Sequence, residues 1–254
     1  EVEVDVVGAV LVDEQRRVLA KELEVANDGL LSLEQLVGER DEPRRHAGFT
    51  PVGPVRRGSD GAAIVFTSGS TGKPKGVVQT HDELLNDVEA LGGGFGLTPE
   101  DRVALVFPIG FAAGLILICA TMLNGASLHS WDPRDAGVRR LPRWMADREV
   151  TVLACTPHLM RSMVATLAPG QQLPPLRLVS TAGEAVHGSD VESLRPHLSP
   201  DATFVNWCGS SEMGTFTLFP VRADDPLPTG ALPVGRAVVN KEVWIQRADG
   251  SRAD

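Results

Sequence analysis

Ten residues, Thr67-Ser68-Gly69-Ser70-Thr71-Gly72-Lys73-Pro74-Lys75-Gly76, bring together three glycines, four hydroxyl side chains and two lysines. Glycines let a backbone turn tightly and present bare N–H groups to an anion, while hydroxyls and lysines add donors and positive charge. Such a loop suits a polyphosphate. It is not the P-loop pattern of Gly, four residues, Gly-Lys and then Ser or Thr. Thr67 stands where the first glycine of that pattern belongs, and Pro74 where its metal-binding hydroxyl belongs. A serine-hydrolase elbow fails too, because Ser68-Gly69-Ser70-Thr71-Gly72 lacks the first glycine of G-x-S-x-G. A Gly/Ser stretch can also be a flexible linker, and its flanks speak against that use.

On the N-terminal side, Ala62-Ala63-Ile64-Val65-Phe66 reads as a buried strand that ends in the loop. Downstream, Thr80-His81-Asp82-Glu83 has the spacing of a capping box, with Thr80 as N-cap and Glu83 reaching back. Leu84, Leu85, Val88 and Leu91 then recur at helical period, and Gly92-Gly93-Gly94 is expected to stop the helix. The layout predicted is strand, glycine-rich loop, helix.

Elsewhere the pattern predicts a strand at 4–12, a helix at 14–24 and a return toward the sheet at 30–33. Residues 38–60 carry Pro43, Pro51 and Pro54 and read as a surface connection before the loop. Strands are expected at 103–107, 127–131, 152–155, 176–180 and 203–206, with helices at 114–124 and 138–147. That alternation predicts an α/β fold with mainly parallel sheets flanked by helices.

At 254 residues with 43% hydrophobic content, the chain can bury a substantial core. A formal charge of -9 argues against a nucleic-acid partner, so any anion must be bound by local arrangement. Cys119, Cys155 and Cys208 are odd in number, widely spaced and without a C-x-x-C, which indicates neither a disulfide framework nor a zinc site and suits a reducing, cytoplasmic compartment. The start is acidic and unlike a signal peptide, and the longest apolar stretch, 107–123, is broken by Pro108, Gly110 and Gly114, so no membrane association is expected.

Residues 67–76 resemble the signature loop of the adenylate-forming superfamily, which includes acyl-CoA synthetases, aryl-acid ligases, luciferases and the adenylation domains of nonribosomal peptide synthetases. Three further segments resemble that family in the expected order. They are "STAGEAV" at 180–186, "NWCGSSEMG" at 206–214 and "LPVGRAVVNKEVWIQRADG" at 232–250. The similarity is greatest to nonribosomal peptide synthetase or polyketide-loading domains. It implies that residues 1–254 are part of the large N-terminal subdomain, incomplete at both ends, with the small C-terminal subdomain and its catalytic lysine absent and the fragment alone inactive.

The resemblance also implies roles. Thr67, Ser68, Gly69, Ser70, Thr71, Gly72 and Lys73 would bind the ATP phosphates, and Lys73, Ser211 and Glu212 would serve the chemistry. Ser211 matches the hydroxyl that contacts the α-phosphate, and Glu212 the ligand of Mg²⁺, an ion that takes hard oxygen donors. Gly183 and Glu184 would lie along adenine, with Asn206, Trp207 and Cys208 nearby. The acid would be lined by Phe111, Ala112, Ala113, Ile116, His158, Ser180, Ala182, Thr215 and Phe216. His158 is equally readable as a structural histidine.

Two positions depart from the family. The aromatic residue that usually stacks on adenine falls at Cys208, in a chain with no tyrosine. Trp207 is adjacent and reads either as a substitute or as plain core, since neighbours on an extended segment point to opposite sides. Ala112 falls where amino-acid-activating domains carry the aspartate that pairs with the substrate α-ammonium. An unpaired ammonium in a dry pocket is costly, so the expected substrate is an aryl, hydroxy, keto or β-amino acid. The function implied is ATP- and Mg²⁺-dependent formation of an acyl-adenylate, followed by transfer to the phosphopantetheine thiol of a carrier protein or of CoA. The competing reading is a truncated or degenerate domain kept as a structural or docking module in a megasynthase.

Overall fold

The computed structural model describes residues 57–67, 74–245 and 247. The expected elements at 4–33, most of the 38–60 connection, and Ser68 to Lys73 of the glycine-rich loop lie outside the described residues. The chain divides into two units, one up to Leu84 and one from Leu85 onward.

In the first unit, β1 (Gly61–Thr67) and β2 (Lys75–Thr80) pair antiparallel, from Gly61↔Thr80 to Thr67↔Lys75. The layout is therefore strand, loop, strand, helix, which corrects the expectation that the loop ran directly into a helix. Thr80 ends β2 and also caps α1 (His81–Phe95). Its Oγ1 accepts from Glu83 N at 3.2 Å, and its own N–H donates to Glu83 Oε2 at 2.9 Å, so the capping box forms as read.

Gly92, Gly93 and Gly94 do not stop α1; they lie inside it, and the helix ends at Phe95, just before Gly96 with φ +56°. Packing explains the difference. A Cβ on Gly94 would come within 2.1 Å of Leu218 Cδ1, and one on Gly92 within 2.8 Å of the Asn124 amide. The bare backbone is what lets α1 approach these neighbours, and that outweighs the roughly 1 kcal/mol per residue that glycine costs in a helix.

The second unit is built on a sheet of order β4-β3-β5-β6-β7-β8-β9. Its strands are β3 (Arg102–Leu105), β4 (Ser127–Ser130), β5 (Val152–Cys155), β6 (Leu178–Thr181), β7 (Thr203–Ser210), β8 (Gly214–Val221) and β9 (Arg236–Ala237). Pairings from β4 through β7 are parallel; those of β7 with β8 and of β8 with β9 are antiparallel. The α/β, mainly parallel expectation holds. The helices are α2 (Ala112–Leu123), α3 (Pro133–Ala136), α4 (Leu141–Asp147), α5 (Pro157–Val164) and α6 (Gly188–Leu194). The helix expected at 138–147 begins as a 3-10 turn at Val138–Arg140, and α3, α5, α6, β8 and β9 were not anticipated.

One core packs Leu141, Trp144 and Met145 of α4, Met160 and Met163 of α5, and Val191 and Leu194 of α6 against Leu153, Val179 and Phe204 of the sheet. On the other face, Trp207 meets Phe95 and Phe107 edge to face, with centroids 6.0 and 6.1 Å away. A charged knot ties the amino ends of the strands: Arg177 Nε donates to Asp101 Oδ1 at 2.7 Å, Thr151 Oγ1 donates to the same oxygen, and Arg177 also reaches the carbonyls of Phe95 and Gly96.

Candidate active site

β4 lies on one side of β3 and β5 on the other, so the winding direction reverses at β3. In open parallel sheets the crevice at such a switch, outside the carboxyl ends of the strands, is where ligands bind. Several of the residues singled out from the sequence follow these strands in the chain. Phe111, Ala112 and Ala113 follow β3, His158 follows β5, Ala182 to Glu184 follow β6, and Ser211 to Met213 form the turn between β7 and β8.

The segment after β6 is held at both ends. Ser180 is fully buried and donates to Val205 O at 3.0 Å; Ala182 N donates to Cys155 O at 3.1 Å. Gly183, with φ +97° and nothing within 4 Å of the place a Cβ would take, then turns the exposed chain outward. Arg161 of α5 grips the residues beyond that glycine: Nη2 donates to Ala185 O at 3.0 Å, Nη1 lies 3.6 Å from Glu184, and Nε donates to Asp190 Oδ1 at 2.9 Å. Asp190 in turn accepts from His187 N at 2.8 Å. The hydrogen bond from Arg161 holds the Asp190 carboxyl below the usual carboxylate range, against the upward push of burial.

The β7–β8 hairpin carries the second segment. Asn206 is buried, and its Nδ2 donates to Pro233 O at 2.9 Å. Trp207 is 3% exposed, and its Nε1 donates to Thr215 Oγ1 at 3.0 Å, so its ring is buried on the face of β7 away from Phe204. Cys208 is half-buried on the opposite face, opposite Thr217, and the indole does not stand in beside it. Register slips between Cys208 and Gly209, where Gly209 faces Thr215 and leaves Phe216 as the extra residue of a bulge. Ser211 is half-buried, Glu212 and Met213 are exposed, and Lys241 Nζ donates to Met213 O at 2.8 Å.

Of the expected acid-lining residues, Ala112, Ile116, Ser180, Ala182 and Thr215 are buried, Ala113 and Phe216 are half-buried, and Phe111 is 58% exposed. Thr215, Trp207 and Phe107 share one face of the sheet, and Ser180 reaches that face through its register partner Val205. His158 stands apart, exposed in the first turn of α5, whose Met160 and Met163 belong to the other core. Sequence reading did not find Arg161 or Lys241. Arg161 sits in no motif; Lys241 lies within the 232–250 segment, but nothing local points to its partner Met213.

Among the described residues no three His, Cys, Asp or Glu side chains gather to hold a metal. The exposed Glu212 supplies one hard carboxylate beside a hydroxyl, a donor set that fits Mg²⁺, which commonly takes one or two carboxylates and completes its shell with water and substrate phosphates. The three cysteines are free; burial pushes the Cys155 thiol up to about 12, which removes it as a nucleophile. Among the described residues no helix is long and apolar enough to cross a membrane.

Known proteins resemble this chain in sequence and in fold. The chain is 30% identical over 219 residues to tyrocidine synthase 2 of Brevibacillus parabrevis, and 31% identical over 194 residues to phenyloxazoline synthase MbtB of a Mycobacterium species. These alignments cover 85% and 75% of this chain but only 6% and 16% of those proteins. Among solved structures, the N-terminal subdomain of Klebsiella oxytoca NpsA in complex with 3-hydroxybenzoyl-AMSN matches with a TM-score of 0.70 and 24% identity, over 89% of this chain and 55% of that one. The nonribosomal peptide synthetase FmoA3 matches with a TM-score of 0.71 and 25% identity, over 95% of this chain and 25% of that one. Residues 3–252 match the family described as AMP-binding enzyme, and the chain belongs to that family of adenylate-forming enzymes.

Proposed function

We propose that the protein carrying this chain activates a carboxylic acid as its acyl-adenylate. A carboxylate oxygen of the acid attacks the α-phosphorus of ATP, the bond to the β-phosphate breaks, and pyrophosphate leaves. A phosphopantetheine thiolate, on a carrier protein or on CoA, then attacks the acyl carbon and AMP leaves. Residues 67–73 hold the phosphates, Ser211 contacts the α-phosphate, and Glu212 holds Mg²⁺, which offsets charge on the phosphates. Gly183 and Glu184 border adenine. The observation that carries this reading is the convergence, at the carboxyl edge of one parallel sheet, of the Gly183–Glu184 segment and the Ser211–Glu212 turn with the start of α2.

The acid is one without an α-amine: aryl, hydroxy, keto or β-amino. Ala112 offers no anion to an ammonium, and it is itself buried. The reaction is cytoplasmic, where ATP and reduced thiols are available.

The test is ATP–pyrophosphate exchange by the full-length protein with a panel of these acids and of α-amino acids. Exchange with an acid lacking an α-amine is the expected result. Exchange only with α-amino acids would sink the reading of Ala112. Absence of both exchange and ATP binding is the behaviour of a degenerate structural module.

A further inference from the structure

The turn that carries Ser211 and Glu212 returns to the sheet through Gly214, whose φ of +64° lies in the left-handed region. A Cβ there would fall 2.3 Å from Asp87 Oδ2 and 2.6 Å from Oδ1. The carboxylate of Asp87 thus occupies the space a side chain would need, and only glycine fits. The next residue completes the contact: Thr215 N donates to Asp87 Oδ1 at 2.6 Å. Asp87 is 2% exposed on the buried side of α1, and its charge pushes up the thiol of Cys119, which burial has already raised. The far end of Thr215 is tied as well, because its Oγ1 accepts from Trp207 Nε1.

We propose that Asp87 is the positioning residue of this turn. By pinning the backbone at Gly214 and Thr215, its carboxylate fixes the direction in which Ser211 and Glu212 leave the end of β7. A hairpin turn anchored only by its strands fans through a range of directions at its tip, and a metal-binding carboxylate tolerates little of that. Lys241 holds the turn on the Met213 side, and Asp87 holds the strand after it. The inference rests on the proposed role of Glu212 toward Mg²⁺, and the experiment separates the two.

In the full-length protein, the measurement is the Mg²⁺ concentration giving half-maximal ATP binding, by calorimetry, together with pyrophosphate exchange and melting temperature. Asp87→Leu fills the space without an acceptor and is expected to raise that concentration about tenfold, in line with loss of a charge-assisted hydrogen bond. Asp87→Asn keeps an acceptor oxygen and is expected to stay within about threefold of wild type. Glu212→Gln reports on the underlying reading. Impairment in Glu212→Gln with a wild-type Mg²⁺ dependence in Asp87→Leu overturns the inference alone. No change in either variant overturns the role of Glu212 and the inference with it. An Asp87→Asn protein as impaired as Asp87→Leu also overturns it, because the acceptor would then not be what matters. Should Asp87→Leu fail to fold, Asp87→Ala decides by the same readouts, since it removes the acceptor without adding bulk.

Discussion

Arg161 and Asp190 sit on successive helices, α5 and α6, and meet through two hydrogen bonds of 2.9 and 3.1 Å. The same guanidinium binds Ala185 O and faces Glu184, so one side chain ties two helices to the strip that is expected to border adenine. Arg161→Met should therefore raise the KM for ATP about three- to tenfold, a loss at the low end for hydrogen bonds to charged groups because Arg161 is partly exposed. The KM for the acid should stay within about twofold, since uniform binding of one substrate is what is lost. Arg161→Lys keeps the charge without the fork and should fall between. Equal changes in both KM values would show that the whole domain had loosened instead.

Cys208 offers a gain of function. It is half-buried on the face of β7 away from Trp207, and it occupies the position where an aromatic ring is expected against adenine. Base–aromatic stacking is worth roughly 1–3 kcal/mol. Cys208→Tyr should tighten ATP binding about tenfold, read as Kd by calorimetry. Unchanged affinity in a folded variant would mean that adenine does not lie over this residue.

What the sequence disclosed was local. The capping box of Thr80 and Glu83 was readable because its partners are three residues apart, and the strands at 152–155 and near 203 because short apolar runs between turn signals admit few alternatives. β2 escaped notice because Lys75 and Gly76 belong at once to the loop motif and to the strand. The glycines of α1 misled because Gly94 meets Leu218 and Gly92 meets Asn124, both outside the helix, and a helix stop is the local meaning of three glycines in a row. The site followed the same rule. Its expected turn and Gly183 segment are readable because they are motifs; Asp87 and Arg161 act across the fold and lie in none, and the bond of Lys241 to Met213 has no local sign.

Asp101 links stability to pH. Burial pushes its pKa up, but the hydrogen bonds from Arg177, Thr98 N and Thr151 outweigh that and bring it from 3.8 down to about 2. A carboxyl whose folded pKa is depressed contributes stability that is fully present above its unfolded value, and that contribution is lost as pH falls through the folded one. The window is thus pH 4 down to pH 2. The contribution is about 2 kcal/mol before discounting Arg177 for its partial exposure. Urea midpoints should show Asp101→Asn less stable than wild type at pH 7, with the gap closing toward pH 2. A gap that is constant with pH would mean that shape and not charge accounts for the loss.

Ala112 is the position from which the substrate class is inferred, and it can be tested by reversal. It is the first residue of α2 and 7% exposed, after Phe111 in an extended conformation. A carboxylate at that point of a helix is favoured by the backbone dipole, by about 0.3–1 kcal/mol, but pays for desolvation unless a cation meets it. Ala112→Asp should therefore fold with a modest loss of stability, and an ammonium-bearing ligand should recover it. The decisive quantity is a ratio: pyrophosphate exchange with α-amino acids relative to acids without an α-amine should rise by about tenfold or more, because the variant pairs the ammonium that wild type leaves unpaired. A ratio that does not move, in a variant that still exchanges with the original acid, would place the substrate amine away from α2. The absence of an anion at Ala112 would then carry no information about the acid.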